Sequence, residues 1–129
     1  MDLKKDLKAL LSELRNSMKT RFNRYVSIPD LLSDRFETAQ AYGFGIGSSC
    51  YNNVLVIADV KVGENTWIGP NVVLDGSGGL EIGDFVSVSA GVQIYSHNTV
   101  NWSTSLGFEN SLKQPTKIGN GVYLGPNSV

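Results

Sequence analysis

A chain of 129 residues has the size of one domain, and with 41% hydrophobic and 18% charged residues it can bury a core. Eleven Lys and Arg stand against twelve Asp and Glu, which excludes the strongly basic surface that nucleic-acid binding needs. The longest unbroken apolar run, Val54–Ala58, falls far short of the roughly 20 residues that span a bilayer. The first residues intersperse Lys, Asp and Leu, unlike a signal peptide, and the single Cys50 excludes an intrachain disulfide. A cytoplasmic protein with no membrane span is expected.

Composition divides the chain near Tyr42–Gly43. Residues 1–40 hold eight of the eleven basic residues and no glycine, whereas all fourteen glycines lie beyond. In the first part Leu3, Leu7, Leu10, Leu11, Leu14, Met18, Phe22 and Tyr25 recur in steps of three and four, which predicts a helix with one apolar face. Ser27-Ile28-Pro29 should stop it, because proline disfavours helical geometry in the preceding residue, and a shorter helix can follow. The apolar stripe is expected to dock on the second part or on another subunit. Its basic residues alternate with Asp2, Asp6 and Glu13, as on a solvated face.

The second part repeats every six residues. Aliphatic side chains fall at Val56, Val62, Ile68 and Leu74, resume after a two-residue slip at Ile82, Val88 and Ile94, and return at Ile118 and Leu124. The following position is often Gly or Asp, and the fifth is usually Val, Thr or Ser. A period of six suits a short strand and a tight turn, with the aliphatic residue inward and three units closing one coil of 18 residues. Each short strand can then satisfy its backbone only through the coils above and below. Cys50, six residues before Val56, shares the inward register and reads as a buried thiol.

The blocks Val62–Trp67, Ile68–Val73, Ile82–Ser87, Ile118–Tyr123 and Leu124–Val129 resemble the hexapeptide-repeat acyltransferase superfamily, over about Cys50 to Val129. The resemblance implies an all-β fold, a left-handed parallel β-helix spanning residues 43–129. It is preceded by a helical segment over 1–42 and interrupted by a loop insertion at about 98–116. The handedness comes from the family alone. Relatives continue for further repeats beyond the position of Val129, so the chain is expected to be truncated at its C-terminus or completed by other subunits.

The single histidine, His97, stands where the repeat breaks, at the mouth of the insertion. Loops on rigid scaffolds often carry function. The stretch Val88–Thr99, with Tyr-Ser-His-Asn, is similar to the corresponding segment of maltose, galactoside and polysaccharide acetyltransferases. That likeness implies a general base at His97, which would take a proton from an acceptor hydroxyl and return it to the thiolate of coenzyme A. Imidazole suits such a role near neutral pH.

Some relatives carry Asp where this chain has Asn98, and a substrate-binding role is expected for Asn98. An acidic residue placed like Asp75 contacts the acceptor in the sugar acetyltransferases; the alternative is that Asp75 caps the turn Gly76-Ser77-Gly78-Gly79. Trp102 either stacks on a sugar ring or packs the loop down. The resemblance also implies a homotrimer with acetyl-CoA bound along the later coils, at Tyr123 and Gly125 here, with only Lys113 and Lys117 left to meet its phosphates. Pro126 lacks the backbone N–H that some relatives aim at the thioester oxygen. One histidine is too few for a three-histidine zinc site, so no metal is expected.

The expected activity is therefore acetyl transfer from acetyl-CoA to a sugar or polysaccharide hydroxyl. The rivals are N-acetylation of a nucleotide sugar, acetylation of an amino acid, and a non-catalytic scaffold.

Overall fold

The computed structural model describes residues 2–129. Helix α1 (Leu3–Phe22) starts at Asp2, whose side chain accepts from the Lys5 N–H, and ends at Asn23 in the left-handed conformation (φ 55°). It therefore stops several residues before Pro29, which instead sits in the first turn of α2 (Ile28–Leu32), where a missing N–H costs nothing. A third helix that the sequence reading missed, α3 (Arg35–Ala41), begins at Asp34, whose carboxylate accepts from the N–H groups of Phe36 and Glu37.

Leu11 and Met18 of α1 pack with Leu31 of α2, while Leu3, Leu7 and Leu10 remain exposed. Only the C-terminal half of the apolar stripe is thus covered within the chain. Among the described residues no helix is long and apolar enough to cross a membrane.

The strands follow: β1 (Ser49–Cys50), β2 (Leu55–Val62), β3 (Trp67–Ile68), β4 (Val73–Ile82), β5 (Ser87–Val88) and β6 (Gln93–Ile94). After them come β7 (His97–Asn98), helix α4 (Val100–Thr104), β8 (Leu112–Lys113), β9 (Thr116–Ile118) and β10 (Tyr123–Leu124). Two parallel sheets result, β1-β3-β5-β10 and β2-β4-β6 with β9 on β4, and β7 pairs antiparallel with β8.

The all-β class expected from the repeats is overturned. Helix accounts for 29% of the chain and strand for 27%, so the fold is mixed α/β with parallel sheets. Turns take up much of the repeats, where only β2 and β4 run longer than three residues, and four helices occupy the N-terminal segment and the insertion.

The repeat positions nevertheless pair with one another. Cys50, Ile68, Val88 and Leu124 are successive partners, as are Val56, Leu74 and Ile94, and Val62, Ile82 and Ile118. The nine aliphatic repeat positions and Cys50 thus become three rows of stacked side chains. Cys50, Ile68, Leu74, Ile82 and Val88 are at most 3% exposed. The fifth positions Thr66, Val72, Val86 and Val92 are buried in the same cluster or beside it. Thr66 also donates its hydroxyl to the Gly83 carbonyl and accepts from the Val86 N–H, which satisfies a buried turn.

The two-residue slip has a structural seat. Ala58 pairs with Gly76 but Val60 pairs with Leu80, so β4 carries two extra residues between Gly76 and Leu80. That excess bulges beside the start of the insertion and builds the site described next.

Candidate functional site

Because Leu74 pairs with Ile94, Asp75 lies one layer below Tyr95–His97. Its side chain is fully buried, and both oxygens are occupied. Oδ1 accepts from the Ser77 N–H (3.0 Å) and the Ser77 hydroxyl (2.6 Å). Oδ2 accepts from the Ser96 N–H (3.0 Å) and is hydrogen-bonded to His97 Nδ1. Burial would push this carboxyl up, but the bonds from the Ser77 hydroxyl, the Ser96 N–H, His97 and the Ser77 N–H outweigh it. They hold Asp75 well below the usual carboxylate range. An ionised carboxylate can only accept, so Nδ1 of His97 is the donor in this bond, and in the neutral imidazole the lone pair then lies on Nε2.

Ser96 ties the arrangement together. Its hydroxyl donates to the Asp75 carbonyl (2.6 Å) and accepts from the Gly78 N–H (2.9 Å), while its own carbonyl accepts from the Gln114 N–H (3.0 Å). A Cβ on Gly78 would collide with the Ser96 carbonyl oxygen and come within 2.6 Å of the Gln114 nitrogen. Only glycine allows the bulge to pass so close beneath the site. The returning chain is fixed by Thr116, whose hydroxyl donates to the Tyr95 carbonyl at 2.8 Å.

His97 is partly exposed on the edge of an open pocket of about 210 Å³, lined by Tyr95, Ser96, Asn98, Gln114 and Thr116 among others. Mixed amide, hydroxyl and carbonyl groups there, beside Tyr95, suit a polyol more than an apolar ligand.

The structure thus brings together His97, Asp75 and Asn98. Asp75 is fully buried, caps the Ser77 turn, which is one of the two parts expected of it, and also holds the imidazole, so it acts through His97 as a positioning residue. Asn98 lines the pocket, and its Oδ1 accepts from the Val100 N–H, which starts the turn into α4. Trp102 projects from α4 with about half its surface exposed and does not line the pocket. Tyr123 belongs to the other sheet, where β10 pairs with β5, Gly125 follows that strand directly, and both lie outside the His97 pocket. Lys113 is the cross-strand partner of His97 in the β7–β8 pair, while Lys117 pairs with Glu81 on β4.

Ser77, Ser96 and Thr116 carry no site role in the sequence reading, and Gln114 does not feature in it. The slip at Gly76–Leu80 was the available signal for the first two. Cys50, by contrast, is fully buried, and burial pushes its thiol up to about 12, so it is no nucleophile. Among the described residues no group of three or more His, Cys, Asp or Glu side chains is placed to hold a metal ion.

Comparison with protein-family models gives no match, and comparison with curated proteins finds no significant relative.

Proposed function

We propose that this chain is an acyltransferase of the hexapeptide-repeat kind, carrying acetyl from acetyl-CoA to a hydroxyl of a sugar or polysaccharide. The observation that supports it most is the pairing of a buried, ionised Asp75 with Nδ1 of the only histidine at the rim of a polar pocket. That pairing supplies a base at Nε2 held in one orientation, as acyl transfer to an alcohol requires.

Nε2 removes the proton of the acceptor hydroxyl as its oxygen attacks the thioester carbonyl. The imidazolium, steadied by Asp75, then gives that proton to the departing thiolate, so the products are an acetyl ester and coenzyme A. Asp75 keeps its charge throughout and never takes the proton. Asn98 and the carbonyls along the rim hold the acceptor. Acetyl-CoA bound at a subunit boundary of a homotrimer, with Tyr123, Gly125 and Lys113 toward it, completes the proposal. Trp102 stacks against a sugar ring brought in over the insertion.

Release of coenzyme A thiol, followed with a panel of sugars, amino sugars and serine, tests this reading. A sugar hydroxyl should give release that depends on His97, and His97→Ala should lower it by about 10²–10⁴-fold. Release with amines alone would move the activity to N-acetylation. Full activity in His97→Ala would contradict the mechanism.

A further inference from the structure

We propose a second binding site, for a phosphate monoester attached to an aromatic ring, in the cleft between the helical segment and the β1-β3-β5 sheet. The cleft has a volume of about 370 Å³, within the range of small-ligand sites, and no Asp or Glu lines it. Two arginines do, Arg24 and Arg35, together with Phe36, Tyr51 and Trp67.

Both guanidinium groups are fixed in place without a carboxylate. Arg24 Nη1 donates to the Tyr51 hydroxyl at 2.7 Å and Nε to the Phe22 carbonyl at 3.3 Å, which leaves Nη2 free of both. Arg35 lies over the rings of Phe22 and Phe36, its guanidinium carbon 5.1 and 4.8 Å from their centroids. Stacking uses the face of the guanidinium and leaves its N–H edge to bind something else. Among the described residues neither arginine has an acidic oxygen within ion-pair distance.

Asp34, next to Arg35 in the sequence, already pairs with Arg21 at 3.7 Å and caps α3 with its other oxygen. Asp30, on the neighbouring side of Arg24, accepts from the Asn52 N–H. Burial, and then the charge of Arg24, ease the proton from Arg35, while Tyr51 and Asp34 act against them.

Two half-buried cations at fixed positions call for a doubly charged anion, and forked N–H donors match phosphate oxygens. The walls add a ring-binding surface. Trp67 is 62% exposed although it stands on a sheet, and Tyr51 and Phe36 line the same cleft. A phosphate at the arginines with its aromatic ring against Trp67 satisfies both halves. The site is separate from the His97 pocket and shares no lining residue with it.

The test is an amide and indole NMR titration of the full chain with phenyl phosphate and adenosine 5′-monophosphate. Phenol, adenosine and inorganic phosphate serve as controls. Saturable shifts at the Trp67 indole, Gly69 and Ser87 are expected with one or both monoesters, and about tenfold weaker binding of every control. Arg24→Gln combined with Arg35→Gln should weaken binding at least tenfold, and Trp67→Ala, which removes an exposed ring and leaves the core intact, several-fold. Binding by phenyl phosphate alone assigns a compact aryl ester, and preference for the nucleotide assigns a nucleobase. No saturation by either monoester up to about 10 mM overturns the proposal. So does inorganic phosphate or adenosine binding as tightly as the esters, or Trp67→Ala binding unchanged.

Discussion

Replacing Asp75 by Asn keeps the side chain's size and removes its charge, at a position where every partner is a donor. The carboxylate accepts from Ser77 N–H, Ser77 hydroxyl, Ser96 N–H and His97 Nδ1. An amide offers one acceptor oxygen, so its NH₂ must face either the Ser77 pair or the Ser96–His97 pair. In either orientation a buried backbone N–H loses its partner, which costs about 1–3 kcal/mol, and the remaining bonds lose their charge assistance. A total of about 2–4 kcal/mol follows, which lowers Tm by on the order of 10 °C.

The orientation with NH₂ toward His97 also moves the imidazole proton to Nε2 and abolishes the base. Thiol release should then fall by about 10²-fold or more. The pH dependence has a definite sign. The Asp75 carboxyl is held below its unfolded value of about 3.9, so the unfolded chain binds the extra proton and stability rises with pH through that region. The wild-type advantage over Asp75→Asn should be complete above about pH 5 and shrink as the pH falls below 4. Thermal unfolding of both proteins between pH 3 and 7 measures it. Equal Tm values at neutral pH, or a difference that does not change with pH, would refute the reasoning.

Gly78→Ala should lower both Tm and thiol release, because its Cβ runs into the Ser96 carbonyl that positions the site, while Gly79→Ala tests only the positive φ of 95°. Leu74→Ala, at a fully buried position in the middle row, should cost about 2–5 kcal/mol by denaturant unfolding. Phe85 is 70% exposed and holds a φ of 53°, so Phe85→Asn should raise stability by about 1 kcal/mol. Cys50 should resist a thiol reagent in the folded protein at pH 8 and react fully in denaturant.

The rows of Val62, Ile68, Leu74, Ile82, Val88 and Ile94 were legible because a fixed spacing of six survives translation into a stacked core. The fold class was not, since a repeat period does not say how few of its residues adopt strand geometry. Helix α3 was hidden because Asp34 and Phe36–Ala41 carry a cap but too short an apolar pattern to register as periodic. The end of α1 was misplaced because Asn23 adopts a left-handed cap that pre-empts Pro29.

His97 stood out in the sequence as the one histidine at the break. Asp75 stood out as an acidic residue before a glycine-rich turn and, through the resemblance, as an acceptor contact. Its role depends on a partner 22 positions onward, fixed by the Leu74–Ile94 register and the two-residue bulge together. Register arithmetic from the slip places Asp75 opposite Tyr95, two residues short of His97. The Ser96 and Gln114 contacts depend on how the insertion returns, which no local pattern encodes.

The central claim is that Asp75 keeps the proton of His97 on Nδ1 and leaves Nε2 as the base. With a single histidine in the chain, one long-range ¹H–¹⁵N spectrum of the neutral imidazole reads this directly. An Nδ1–H tautomer is expected in the wild type and its loss in Asp75→Asn. A wild-type spectrum showing Nε2–H, or one unaltered by Asp75→Asn, would contradict it.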